Sequence, residues 1–199
     1  MADAVRYVAL GDSYTIGTAV DASDSFPTQL AAVVDGLELV ANLGVNGYTT
    51  ADVIREELPA FATLEPGFAT LLVGANDAVQ GVSPQRYEAN VTTILDALLA
   101  RLPADRLVVV TVPDYTVTPA GADYGDPLVR SAAIRANNAA MTRLATERGL
   151  AVVDVYDVSL AAADDRSLVA GDGLHPSGGQ YARWVERIAP VVRERLEGA

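Results

Sequence analysis

The chain has 199 residues, a formal net charge of −12, 50% hydrophobic and 20% charged residues, and no cysteine. That length and balance predict one globular domain over residues 1–199 with a sizeable core, and the acidic surface argues against nucleic acid or anionic lipid as a partner. The missing cysteine excludes disulfides and thiol catalysis, and all 14 basic residues are arginine, which excludes a Walker A loop and Schiff-base chemistry.

No apolar run approaches the ~20 residues of a membrane-spanning helix. The first strand follows Met1-Ala2-Asp3-Ala4 directly, with no space for a signal peptide, so the cytoplasm is the expected compartment. Arg6 to Leu10 reads as that strand, and it runs into the turn Gly11-Asp12-Ser13. Asp24-Ser25-Phe26-Pro27 opens a helix that ends near Gly36. Leu37 to Ala41 is a second strand, leading into Asn42-Leu43-Gly44-Val45-Asn46-Gly47, a loop rich in residues that accept positive φ. Thr50 is placed to cap a helix over Ala51 to Phe61.

Phe68 to Val73 is the third strand, followed by the loop Gly74-Ala75-Asn76-Asp77. Ser83-Pro84 starts a long helix with Tyr87, Val91, Ile94, Leu95 and Leu98 on one stripe. Leu107 to Val112 is a fourth, β-branched strand of the kind buried on both faces. Pro113 to Pro127 has no periodic pattern, and loops of such length inside compact domains are often functional. A helix from Leu128 to Arg148 closes at Gly149, and Leu150 to Val155 is the fifth strand. After a short helix near Val158 to Ala163 comes Asp172-Gly173-Leu174-His175-Pro176, then a last helix from Ser177 that Pro190 is expected to kink.

Strands alternating with helices predict an α/β fold: a three-layer α/β/α domain on a five-stranded parallel sheet, with right-handed crossovers and the flavodoxin-like order 2-1-3-4-5. Ligands bind at the carboxyl ends of such strands. Those ends carry Ser13, the Gly44 to Gly47 loop, Asn76, and the connection holding Asp172 and His175. In this order Gly47 and Asn76 flank Ser13, and strand five lies ~15 Å away, at ~4.8 Å per strand. The connection from Tyr156 to Asp172 is long enough to bring His175 to Ser13.

His175 is the only histidine, and Pro176 forces it into extended backbone. Asp172 is either a turn residue or a carboxylate folded back on the imidazole, where it would fix the tautomer that takes a proton from serine. The Ser13 amide, the Gly47 amide and the Asn76 side chain could donate to a developing oxyanion. Taken singly, Gly47 also reads as a turn glycine and Asn76 as a helix cap.

Gly11-Asp12-Ser13, Asn42-x-Gly-x-x-Gly47, Gly74-x-Asn76-Asp77 and Asp172-x-x-His175-Pro176 together resemble the SGNH hydrolase (GDSL esterase/lipase) family, across nearly the whole chain. The resemblance implies a serine esterase with Ser13 as nucleophile, His175 as general base, Asp172 orienting it, and oxyanion donors from Ser13, Gly47 and Asn76. Tyr14 stands where the family's name-giving motif has Leu, which bears on substrate fit more than on chemistry. Thr15 after Tyr14 rules out a Gly-x-Ser-x-Gly elbow.

The expected reaction is hydrolysis of carboxylic esters, short-chain or acetyl esters first, through an acyl-serine intermediate, without cofactor or metal. The resemblance also leaves open carbohydrate acetylesterase, lysophospholipase and thioesterase activities. Tyr14, Tyr48, Tyr115 and Tyr124 are candidate substrate contacts, or equally ordinary loop packing. Outside catalysis, the alternative is a ligand-binding flavodoxin-like domain. A receiver domain lacks its lysine, and one histidine supplies too few ligands for a metallohydrolase.

Overall fold

The computed structural model describes residues 4–198. Five strands, β1 (Val5–Gly11), β2 (Leu37–Asn42), β3 (Phe68–Leu72), β4 (Leu107–Val110) and β5 (Ala151–Val153), form one parallel sheet in the expected order β2-β1-β3-β4-β5. The central strands are buried on both faces because alternate residues serve two cores. Tyr7, Ala9, Phe68, Leu72, Val108 and Val110 enter one core, while Val8, Leu10, Ala69, Leu71, Leu107 and Val109 enter the other.

The first core is closed by α2 (Phe26–Val33) and α9 (Gly178–Glu197), whose Trp184, Tyr181, Ile188 and Val192 are fully buried. Ser177 caps α9, accepting the Gln180 amide at 3.3 Å. Pro190, expected to kink it, lies inside a single 20-residue helix. The second core is closed largely by α6 (Pro84–Leu99), with the predicted stripe from Tyr87 to Leu98 buried. It also takes Met141, Leu144 and Ala145 from α7 (Pro127–Thr146).

Several local expectations change. Thr49, not Thr50, caps the helix after β2: its amide donates to Asp52 Oδ2 at 2.9 Å in a capping box. Thr50 is freed to donate its amide and hydroxyl to Asp77 at 2.9 and 2.5 Å. That helix is also not uniform. It runs as α3 (Thr50–Asp52), a π-helical turn (Val53–Glu57) and α4 (Leu58–Phe61). Pro59 has no N–H to return to the turn before it, and the wider turn accommodates the gap. Residues 75–80, read as loop and connection, form a short helix, α5 (Ala75–Gln80). The long segment 113–127 contains two 3₁₀ turns, Tyr115–Val117 and Gly121–Tyr124. Among the described residues, no helix is long and apolar enough to cross a membrane.

Candidate active site

β1 leaves the sheet through Gly11, whose φ of +149° and tight surroundings require glycine: a Cβ there would lie 2.0 Å from the Leu72 carbonyl oxygen. Asp12 then caps the one-turn helix α1 (Ser13–Ile16), its Oδ1 accepting the Tyr14 amide at 3.0 Å. Ser13 is the first residue of that turn, 6% exposed at the wall of a cavity. Its amide is among the first-turn donors that a helix leaves without a helical partner. Asp12 is wholly buried, and burial pushes its carboxyl up to about 7.

Below this turn, the Gly11 amide donates to Glu57 Oε2 at 2.8 Å. Glu57 is only 2% exposed, and burial first, with the nearby Asp12 and Asp52 charges adding to it, pushes its carboxyl up to about 9. The segment after β2 is locked against the same turn. Asn42 Nδ2 donates to the Thr15 carbonyl at 2.8 Å, and the Leu43 amide donates to the Ala9 carbonyl at 2.8 Å. Gly47 follows with a φ of 82° and lines the cavity beside Asn46.

Asn76 projects from α5. Its Nδ2 donates to the Tyr48 carbonyl at 2.9 Å, which fixes the amide and leaves the second N–H of the same nitrogen for the cavity. Asp77, next in chain, anchors α5 to Thr50 through the two bonds already described. Asn137 Nδ2 reaches from α7 to the Gly74 carbonyl at 3.1 Å.

The opposite wall comes from the connection before α9. Gly173, at φ 75°, turns the chain so that Asp172 folds back. Asp172 Oδ2 lies 2.6 Å from His175 Nδ1, while Oδ1 accepts the Leu174 and His175 amides at 2.9 and 3.0 Å. Burial raises the Asp172 carboxyl, but the imidazole and the two amides outweigh it and hold the group below its usual range. A carboxylate on Nδ1 selects the tautomer protonated there and leaves Nε2 as the basic nitrogen. The Tyr14 ring sits 5.4 Å from the imidazole and 6.5 Å from the Trp184 ring, so the residue beside Ser13 also packs on His175.

Ser13, Tyr14, Gly47, Asn76, Tyr115, Tyr124 and His175 thus line one cavity of about 250 Å³, with Asp172 behind His175. Tyr48, expected among the substrate contacts, does not line it. The turn at Gly47 presents its carbonyl to Asn76, and that acceptor is what Tyr48 contributes. The remaining wall is Asn46 and the apolar Ala75, Val79 and Leu174. Ala75 and Val79 were missed with their helix, although their spacing of four was the available signal. Glu57 was also missed. Its signal is a place on the buried stripe Val53, Glu57, Phe61. Among the described residues, no cluster of three or more His, Cys, Asp or Glu side chains could hold a metal ion.

Residues 9–183 match the model of the GDSL-like lipase/acylhydrolase family. The fold is similar to that of the lipase/acylhydrolase from Enterococcus faecalis, with a TM-score of 0.76 and 21% identity over 96% of each chain. It is similar to a member of the lipolytic protein G-D-S-L family from Veillonella parvula, with a TM-score of 0.74 and 18% identity over 96% of this chain and 97% of that one. It is also similar to Axe2, an acetyl xylan esterase from Geobacillus stearothermophilus, with a TM-score of 0.73 and 17% identity over 96% of each chain. No curated protein matches the chain.

Proposed function

The chain belongs to the GDSL-like lipase/acylhydrolase family and is an ester-hydrolysing enzyme, and from that premise we propose that Ser13, His175 and Asp172 form its catalytic triad. The observation that carries this reading is the 2.6 Å Asp172–His175 pair opening onto the same cavity as Ser13. His175 Nε2 takes the Ser13 proton as Oγ attacks the ester carbonyl, and Asp172 stabilises the imidazolium without taking the proton itself. The tetrahedral oxyanion is held by the Ser13 and Gly47 amides and by the remaining N–H of Asn76 Nδ2. His175 then gives the proton to the leaving alcohol. Water, activated by the same nitrogen, hydrolyses the acyl-serine.

The proposed substrates are short-chain acyl or acetyl esters. In support, the cavity is about 250 Å³, below the ~300–1,000 Å³ common for drug-sized ligands. Its wall near Asn76 is closed by the small residues Ala75 and Val79. A second reading, an acetylated carbohydrate as substrate, is favoured by the rim. Tyr115 and Tyr124 stand edge to face at 5.9 Å, and Tyr124 is 42% exposed, so its ring offers an aromatic face with a polar hydroxyl at the rim.

The test is hydrolysis of short and long p-nitrophenyl esters by wild type and Ser13→Ala, with folding of both checked by circular dichroism. The triad reading expects turnover that falls with acyl length and is lost in the variant. Full activity in Ser13→Ala would move the nucleophile elsewhere. Sugar acetates turned over far more slowly than simple esters would remove the carbohydrate reading.

A further inference from the structure

We propose that Glu57, in its neutral form, is a positioning residue for Ser13, and that its ionisation switches the enzyme off. The inference rests on Ser13 being the nucleophile. Glu57 touches no reacting atom. It acts through the Gly11-Asp12 segment, which carries Ser13 at its end.

Three observations bear on it. The first is the grip: Glu57 Oε2 holds the Gly11 amide at 2.8 Å at the point where β1 leaves the sheet. The second is what lies unanswered. Glu57 Oε1 and Asp12 Oδ2 are both buried, and neither has a hydrogen-bond partner among the described residues. The third is the company. The titratable groups facing the Glu57 and Asp12 carboxyls are Asp52 from α3, Asp77 from α5, Tyr14 from α1, Tyr87 from α6 and Tyr181 from α9. All are acidic or neutral. The neighbouring cation, Arg55, is spent on Asp52 and Glu56 at 2.6 and 2.8 Å, on the exposed side.

Two buried carboxylates without a cation repel each other and lose their hydration, so one of them keeps its proton. Asp12 is the better anion, because it caps α1 and its Oδ1 accepts the Tyr14 amide at the helix start, so Glu57, which burial pushes upward, keeps the proton. With Oε2 accepting from Gly11, the proton sits on Oε1, the oxygen that accepts from nothing. Glu57 then does two jobs with no net charge: it satisfies the Gly11 amide and leaves the field under Ser13 unaltered. Ionised, it adds negative charge beneath the rim where the oxyanion forms and repels Asp12, the cap of the helix that begins at Ser13. The cavity wall that receives the substrate is untouched. The effect therefore falls on kcat and leaves KM nearly constant.

Glutamine is the neutral isostere: its carbonyl accepts from Gly11 and its NH₂ takes the place of Oε1–H. The experiment measures kcat and KM from about pH 6 to 10.5 for wild type, Glu57→Gln and Glu57→Leu, with fluorophosphonate labelling of Ser13 and circular dichroism at each pH. Wild-type kcat should fall ~tenfold or more between about pH 8 and 10.5, with KM within ~twofold. Glu57→Gln should keep ~30% or more of the neutral-pH kcat and lose that alkaline fall, whereas Glu57→Leu should lose ~tenfold or more throughout. In wild type, the infrared band of a buried protonated carboxyl should vanish over the same pH interval as kcat.

An alkaline fall unchanged in Glu57→Gln, a folded wild type with no such fall, a fully active Glu57→Leu, or a Glu57→Gln that does not fold would each overturn the proposal. Failure of the wild type to label at Ser13 would instead overturn the nucleophile assignment beneath it.

Discussion

Replacing Asp172 by Asn exchanges one oxygen for an NH₂ and separates two jobs. The carbonyl oxygen of Asn can keep the Leu174 and His175 amides, which Asp172 Oδ1 accepts at 2.9 and 3.0 Å. The NH₂ then falls where Oδ2 faced Nδ1 at 2.6 Å. Two N–H groups cannot share that space, so the imidazole moves its proton to Nε2, the nitrogen that must accept from Ser13. Where the triad carboxylate is fully buried, this tautomer switch costs ~10⁴ in kcat. The Asp172 side chain is 32% exposed, and water can compete for Nδ1, so ~10³ is expected here, about 4 kcal/mol of barrier.

Asp172→Ala fails in the other direction. It removes the acceptor of both turn amides, a loss comparable to a helix cap at ~0.5–2 kcal/mol, but leaves Nδ1 free to donate to water. The Asn variant should therefore be the less active of the two and the more stable. Because Asp172 is held below its usual range, its contribution to stability is present above the ordinary carboxylate value. It disappears as pH falls through the depressed one. The melting gap between wild type and Asp172→Ala should thus narrow in acid. The assay is kcat on a short p-nitrophenyl ester near pH 8, with thermal melts from about pH 3 to 8. Asp172→Asn within tenfold of wild type, or melting below Asp172→Ala, would refute the reasoning.

Asn76→Ala should lower kcat by ~10²–10³ with little change in KM, since the lost donor matters most once the oxyanion forms; a loss below tenfold in a pre-steady-state and steady-state comparison takes Asn76 out of that role. Two glycines should respond differently to alanine. At Gly47 no atom lies within 4 Å of the new Cβ, so the cost is the φ of 82° alone, ~1–2 kcal/mol, and the variant should fold with reduced kcat. At Gly11 the Cβ would meet the Leu72 carbonyl oxygen at 2.0 Å, so soluble expression and circular dichroism should show little folded protein.

The sheet was legible because its strands are short, mostly apolar runs separated by helical patterns, and because crossover handedness leaves few orders for five such strands. The site was legible for a related reason: Ser13, Gly47, Asn76 and His175 all sit just past a strand or in the connection after β5, where the fold collects them. What escaped depended on details that a pattern does not carry. Two adjacent threonines are equal as caps on paper. Thr49 wins because Asp52 answers it and because Asp77, 27 residues away from Thr50, claims that residue. Six residues starting at a glycine with φ 135° give no capping signal for α5. A glutamate on a buried stripe reads as a flaw in the stripe until the Gly11 amide is found opposite its carboxyl.

The loop over residues 113–127 bears on where selectivity resides. Its length marks it in the sequence as a segment of functional interest, and its bonds tie it down at three places. At its start, Asp114 accepts the Thr116 amide and hydroxyl at 3.0 and 2.7 Å, Ser131 Oγ at 2.6 Å and the Tyr156 hydroxyl at 2.7 Å. Burial raises that carboxyl, yet these donors outweigh it and hold it low, as a well-served carboxylate should be. In its middle, the Ala120 amide donates to the Gly173 carbonyl at 2.9 Å, joining the loop to the turn that folds Asp172 onto His175. Near its end, Arg130 donates to the Tyr124 carbonyl at 3.0 Å and to the Ala78 carbonyl of α5 at 2.6 Å. Tyr115 and Tyr124 are therefore presented from a strapped wall that touches both the α5 side, which carries Asn76, and the His175 side of the cavity. Substrate choice should follow the side chains at those two positions, because the backbone that carries them is fixed by contacts to the segments that carry Asn76 and His175.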